Sequence, residues 1–168
     1  RGAAARATSR RSPAVMPRVE PFTTLHLLTV AAGALVVAAL ALVGRRWCGR
    51  SAGRRLELGL AFALAALWAA YQVYDLTRYG FDVRWSLPLQ LCDFTALAAA
   101  LALARPHRTL HALTYFWGLA LSTQAVVTPD LAGGPGSLAY WAFWAYHTFV
   151  VAGAVYVQVG GGALASAL

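Results

Sequence analysis

Six polar side chains inside the apolar blocks of this 168-residue chain are the candidates for chemistry: His26, Gln90, Cys92, Asp93, Gln124 and His147. A thiol and an imidazole suit nucleophilic catalysis. The histidine takes the thiol proton, the thiolate attacks an acyl carbonyl, and an amide such as Gln90 or Gln124 stabilises the oxyanion. A thiol in apolar surroundings keeps its proton, so Cys92 would need His147 as its base. Each residue also has a plainer reading. A buried cysteine is most often a small core hydrophobe, and a histidine in lipid is often a helix–helix hydrogen-bond donor. An aspartate in lipid needs a partner, and Asp93 is expected to pair with His26 or His147 or to orient the catalytic pair. His26, Cys92, Asp93 and His147 also have the donor atoms of metal ligands, but the chain has no CxxC or HExxH spacing, so neither a metal nor a cofactor is expected.

Other candidates carry less. His107 and His111 stand beside Arg105 and Arg108 and read as an interfacial basic turn. Gly133-Gly134-Pro135-Gly136 follows no strand and precedes no Lys-Ser/Thr, so it reads as a turn rather than a phosphate cradle. Cys48 and Cys92 are expected at opposite halves of the bilayer, beyond disulfide reach.

The elements that must position these groups follow from hydropathy. With 60% hydrophobic residues, 12% charged residues and a mean hydropathy of +0.58, the chain has too little polar surface for a soluble globule. Its net charge of +8 comes from arginines set between apolar blocks. No basic helix interleaved with polar positions is present, so nucleic acid is not an expected partner and the lipid bilayer is.

Five apolar blocks predict an all-α, polytopic transmembrane bundle of about five helices, at 22–43, 56–74, 87–104, 110–127 and 138–159. The first block is 22 residues long and free of charge, enough for about 30 Å of hydrocarbon. The fourth ends at Thr128-Pro129-Asp130 and the fifth at Gly160-Gly161-Gly162. No strand-period alternation or internal repeat competes, and lipid leaves helices as the way to satisfy the backbone. Residues 22–159 thus form one transmembrane domain between tails at 1–21 and 160–168.

Arg45, Arg46, Arg50, Arg54 and Arg55 lie between the first two blocks, and Arg105 and Arg108 between the third and fourth. Loops 44–55 and 105–109 are therefore expected on the cytoplasmic side of the cell membrane, with the N-terminus outside. Arg78 and Arg84, balanced by Asp75, Asp82 and Asp130, mark the opposite side. Tyr71, Tyr74, Trp85, Tyr140 and Trp141 fall near the outer helix ends and Trp47 near an inner one, as interfacial belts require. Residues 1–15 add arginines on the wrong side. Because Met16 makes a natural start, that stretch reads as non-native or disordered.

Counting from the outer helix ends puts Gln124 about 5 Å deep, His26 about 6 Å, Cys92 and Asp93 about 8 Å and His147 about 14 Å. All six polar groups then share the outer half of the bilayer, the expectation for a common polar pocket between helices.

The segment Leu87-Pro88-Leu89-Gln90-Leu91-Cys92-Asp93-Phe94, with Tyr115-Phe116-Trp117-Gly118-Leu119, Gln124-Ala125-Val126-Val127-Thr128-Pro129-Asp130-Leu131 and His147, resembles the YwaF-like family of bacterial integral membrane proteins. The likeness covers roughly residues 16–157 and includes His26. That family is distantly similar to a vertebrate transmembrane acyltransferase that remodels ether phospholipids with a cysteine and a histidine. The resemblance implies that Cys92 is the acyl-accepting nucleophile and His147 its base. Family members continue into at least one further helix, so the 160–168 tail reads as truncated.

Two functions are carried forward. One is a thiol-dependent membrane acyltransferase or lipase acting on phospholipid or other acyl-lipid substrates through Cys92 and His147, with His26, Gln90, Asp93 and Gln124 as the polar pocket. The other is a non-enzymatic small transporter or assembly protein whose polar site binds a solute or pairs helices.

Overall fold

The computed structural model describes residues 18–81, 90–131 and 133–160. The described residues form five helices and no strand: α1 Thr24–Trp47, α2 Ser51–Tyr79, α3 Leu91–Ala104, α4 Arg108–Val127 and α5 Leu138–Gly160. Three of them, α1, α2 and α5, are long and apolar enough to cross a membrane, and α3 is a shorter apolar helix. The expected head at 1–15, the start of the third block at 87–89, Trp85 and the tail at 161–168 fall outside the described residues.

The surface chemistry is that of a membrane protein. Leu35 is 72% exposed, Phe62 75% and Phe116 66%, whereas Thr95, Thr114, Ser122 and Ala99 are buried. Large apolar side chains outside and small or hydroxylated ones inside is the pattern of helices that pack closely against each other and face lipid with the rest. Gly118 shows how close the packing is. A Cβ added there would stand 2.7 Å from the Ala154 Cβ, so α4 and α5 meet almost backbone to backbone.

Helix α5 is the hub, packing against each of the other four. Half of its span is buried, against 6% of that of α1. Neighbours along the chain mostly run antiparallel. Arg54 at the start of α2 donates to the carbonyl oxygens of Leu103 and Ala104 at the end of α3 (2.9 and 2.6 Å), and Trp68 farther along α2 reaches the start of α3. By contrast α1 and α5 run parallel. The Thr29 and Tyr140 hydroxyls share a 2.7 Å hydrogen bond near the beginnings of both, and Gly44 lies against the Tyr156 ring near their ends.

Capping fixes where α1 begins. Thr23 Oγ1 accepts from the His26 amide, satisfying one of the orphan donors of the first turn. Phe22, just before it, takes a left-handed conformation with φ 63°, and its amide donates to His26 Nδ1 at 2.8 Å. At the other end of the bundle lie Arg45, Arg46, Arg50, Arg54 and Arg55, together with Arg105 and Arg108.

Candidate functional site

A cavity of about 710 Å³ opens at the end of the bundle opposite the arginines. Its walls come from four helices. The last turns of α2 supply Tyr71, Gln72 and Asp75; the start of α3 supplies Gln90, Cys92 and Asp93; α4 ends on it with Ala125 and Thr128; the first half of α5 contributes Phe143, Tyr146 and His147. Asp130, just past α4, closes one side. No α1 residue lines it.

His147 is buried, and its ring is held in a defined way. Nδ1 lies 2.9 Å from the Phe143 carbonyl oxygen one turn earlier. A carbonyl can only accept, so Nδ1 carries the proton of the neutral imidazole and Nε2 keeps its lone pair. Among the described residues Nε2 has no hydrogen-bond partner. The ring packs against Phe143 at 4.2 Å and edge-on to Tyr146 at 5.3 Å.

Cys92 is half-buried, and its thiol donates to Gln90 Oε1 across 3.7 Å. It occupies the first turn of α3, where backbone amides not yet paired within the helix concentrate partial positive charge. The Tyr146 hydroxyl donates to the Cys92 carbonyl oxygen at 2.9 Å, which ties α5 to this turn.

Asp93 is buried and well supplied with donors. Its Oδ1 accepts from Trp68 Nε1 at 3.2 Å and from Gln72 Nε2 at 3.1 Å, both on α2. The expected partners, His26 and His147, are not bonded to it. Trp68 and Gln72 stand one helical turn apart, so a single face of α2 presents both donors to the one oxygen.

The residues singled out from sequence therefore divide. Gln90, Cys92, Asp93 and His147 surround the cavity. His26 does not line it; it is 1% exposed, with Nδ1 accepting from Phe22 and Nε2 donating to the Val126 carbonyl oxygen at 2.9 Å, so both ring nitrogens are used in clamping α1 to the end of α4. Gln124 also lies off the cavity, exposed on α4, where its carbonyl oxygen caps the helix by accepting from Thr128. In place of α1, the cavity takes a wall from α2.

A sequence model of the TMEM164 family matches residues 21–166, most of the chain. The chain belongs to the TMEM164 family. No curated protein and no solved structure matches it. The matched stretch includes every helix and every residue of the cavity.

Within this TMEM164-family bundle, the residues that sequence reasoning overlooked are Trp68, Gln72 and Tyr146. Gln72 had a usable signal: an amide deep in an apolar block needs a partner in lipid, as Asp93 does. Tyr146 had none, because an aromatic residue next to a histidine on an apolar helix reads as packing.

Proposed function

We propose that the cavity is a thiol-dependent acyl-transfer site at which Cys92 is the nucleophile and His147 the base. One observation carries this reading: the Cys92 thiol and His147, its Nε2 lone pair uncommitted, line the same open cavity. The likeness of the Cys92 segment and His147 to the YwaF-like family, and through it to a membrane acyltransferase, supports the same roles.

The step balances within these two side chains. Nε2 takes the thiol proton as sulfur adds to the acyl carbonyl; the tetrahedral intermediate collapses to a thioester, and the departing alkoxide regains the proton from the imidazolium. A second alcohol, activated by the same nitrogen, then takes the acyl group, or water takes it in a lipase reaction. Gln90 offers its amide N–H groups to the oxyanion from the cavity wall. The substrate is an acyl lipid of the leaflet on which the cavity opens. The arginine distribution supports an outer-leaflet position in the cell membrane, with the loops at 44–55 and 105–109 in the cytoplasm and 22–159 as a single transmembrane unit.

The test is an acyl-enzyme. Full-length protein in liposomes containing a fluorescent-acyl phospholipid should gain a hydroxylamine-labile acyl group at Cys92, read by intact and peptide mass. Cys92→Ala should abolish the adduct, and His147→Gln should slow its formation by roughly 10²-fold or more. Equal labelling of the Cys92→Ala variant overturns the reading.

A non-enzymatic role has its own supporting observation. Asp75, Asp93 and Asp130 all line the cavity, Asp130 paired with Arg18 at 3.6 Å, and among the described residues no arginine lines it, which suits a cationic solute. Solute flux in proteoliposomes that survives Cys92→Ala and is lost in Asp93→Asn would favour transport instead.

A further inference from the structure

The arginine-rich end carries a second concave surface, remote from the cavity and independent of its chemistry. It is an open groove of about 460 Å³ lined by Leu42, Arg45 and Arg46 on the last turns of α1. Gly44, between them, is buried against the Tyr156 ring of α5, which turns Leu42, Arg45 and Arg46 away from the bundle and toward lipid.

Depth decides what meets this groove. From Thr24 to Arg45 the helix rises about 32 Å, close to the thickness of a bilayer's hydrocarbon core. Arg45 and Arg46 therefore stand at headgroup level, with exposed Leu42 about one turn deeper among the acyl chains. Their surroundings leave both guanidinium groups uncommitted. Arg54 is engaged by Glu57 and by the carbonyl oxygens that close α3, and Arg50 donates to the Arg46 carbonyl oxygen at 2.6 Å. Neither Arg45 nor Arg46 has a carboxylate partner among the described residues. Two neighbouring planar guanidinium groups above an apolar step match a phosphodiester carrying acyl chains, because the fork of each can donate to two phosphate oxygens.

We infer that the Leu42–Arg45–Arg46 groove is a binding site for an anionic phospholipid, with phosphate on the two arginines and the upper acyl carbons against Leu42. The site discriminates by charge at the membrane surface, where each basic side chain adds attraction for anionic headgroups.

The experiment uses full-length protein in nanodiscs of phosphatidylcholine containing a minor fraction of phosphatidylglycerol, with retained lipid counted by native mass spectrometry. Arg45→Gln/Arg46→Gln should reduce retained phosphatidylglycerol roughly tenfold or more. Arg55→Gln/Arg105→Gln removes the same charge from the same end outside the groove and should change retention less than about twofold. Equal losses in the two double variants would mean a diffuse basic surface and overturn the site, as would retention unchanged in both. Thermal unfolding in pure phosphatidylcholine checks that each variant is folded. Should the Arg45→Gln/Arg46→Gln protein fail to insert, single Arg45→Gln and Arg46→Gln variants are read against single Arg55→Gln on the same criterion.

Discussion

The Tyr146 hydroxyl donates to the Cys92 carbonyl oxygen across 2.9 Å, so the turn that carries the thiol is held by the same helix that carries His147. Residues 146 and 147 are adjacent on α5, one holding the Cys92 backbone and the other facing the cavity as the base proposed above. Relative placement of the two reacting groups then depends on one short stretch of one helix.

Tyr146→Phe removes that hydroxyl and keeps the ring. The Cys92 carbonyl retains its place in the α3 hydrogen-bond ladder, so stability should fall by less than about 1 kcal/mol. Formation of the Cys92 acyl adduct should slow roughly five- to tenfold, because loosened positioning acts directly on the rate. An adduct rate equal to that of the unaltered protein would show that the bond plays no part in placing the thiol.

His26→Ala should separate stability from chemistry. It strips the partners from the Phe22 amide and the Val126 carbonyl oxygen and leaves a void against Trp144, whose ring lies 5.6 Å from the imidazole. Loss of about 2–4 kcal/mol is expected, read as a lowered unfolding temperature in detergent micelles. In the fraction that remains folded, adduct formation per molecule should stay within about twofold, since His26 is outside the cavity. A selective loss of adduct in stable protein would place His26 in the reaction.

Two glycines should respond with opposite signs. Gly118→Leu forces a side chain into the 2.7 Å approach to Ala154 and should destabilise the bundle by about 1–3 kcal/mol. Gly59→Ala, on α2 with nothing within 4 Å of the added carbon, should be neutral to stabilising by up to about 1 kcal/mol. Unfolding of both variants in the same micelles gives the comparison directly. A Gly118→Leu protein as stable as Gly59→Ala would mean that α4 and α5 do not pack so closely.

The helices were legible because apolar blocks in lipid leave the backbone few alternatives, and three of the five are long and apolar enough to cross a membrane. Their ends were less so. Helix α2 continues through Gln72 and Asp75 to Tyr79, past the expected stop at residue 74, since polar residues facing a wet cavity do not interrupt a helix. Around the site, Gln90 and Asp93 could be grouped with Cys92 because they are neighbours in the chain. What hydropathy does not encode is which helices touch. Helix α1 is joined to α2 by a short loop yet packs chiefly on α5, which takes His26 away from the cavity and lets Gln72 in. Gln124 shares a helix with cavity residues Ala125 and Thr128 but points elsewhere, a matter of rotation about the α4 axis that depth counting leaves out.

Helix α3 has only 14 residues, a rise of about 21 Å, whereas α1 has 24. With Arg105 anchored among headgroups on one side, Cys92 lies roughly 10 Å short of the opposite edge of a 30 Å hydrocarbon slab. Lipid ester bonds sit near that edge, so either the membrane dimples toward the thiol or the lipid sinks to it. Each extra ångström of slab widens the gap at a small energetic penalty. The acyl transfer proposed for Cys92 should therefore slow in host lipids with longer tails and quicken in shorter ones, with no change to any side chain.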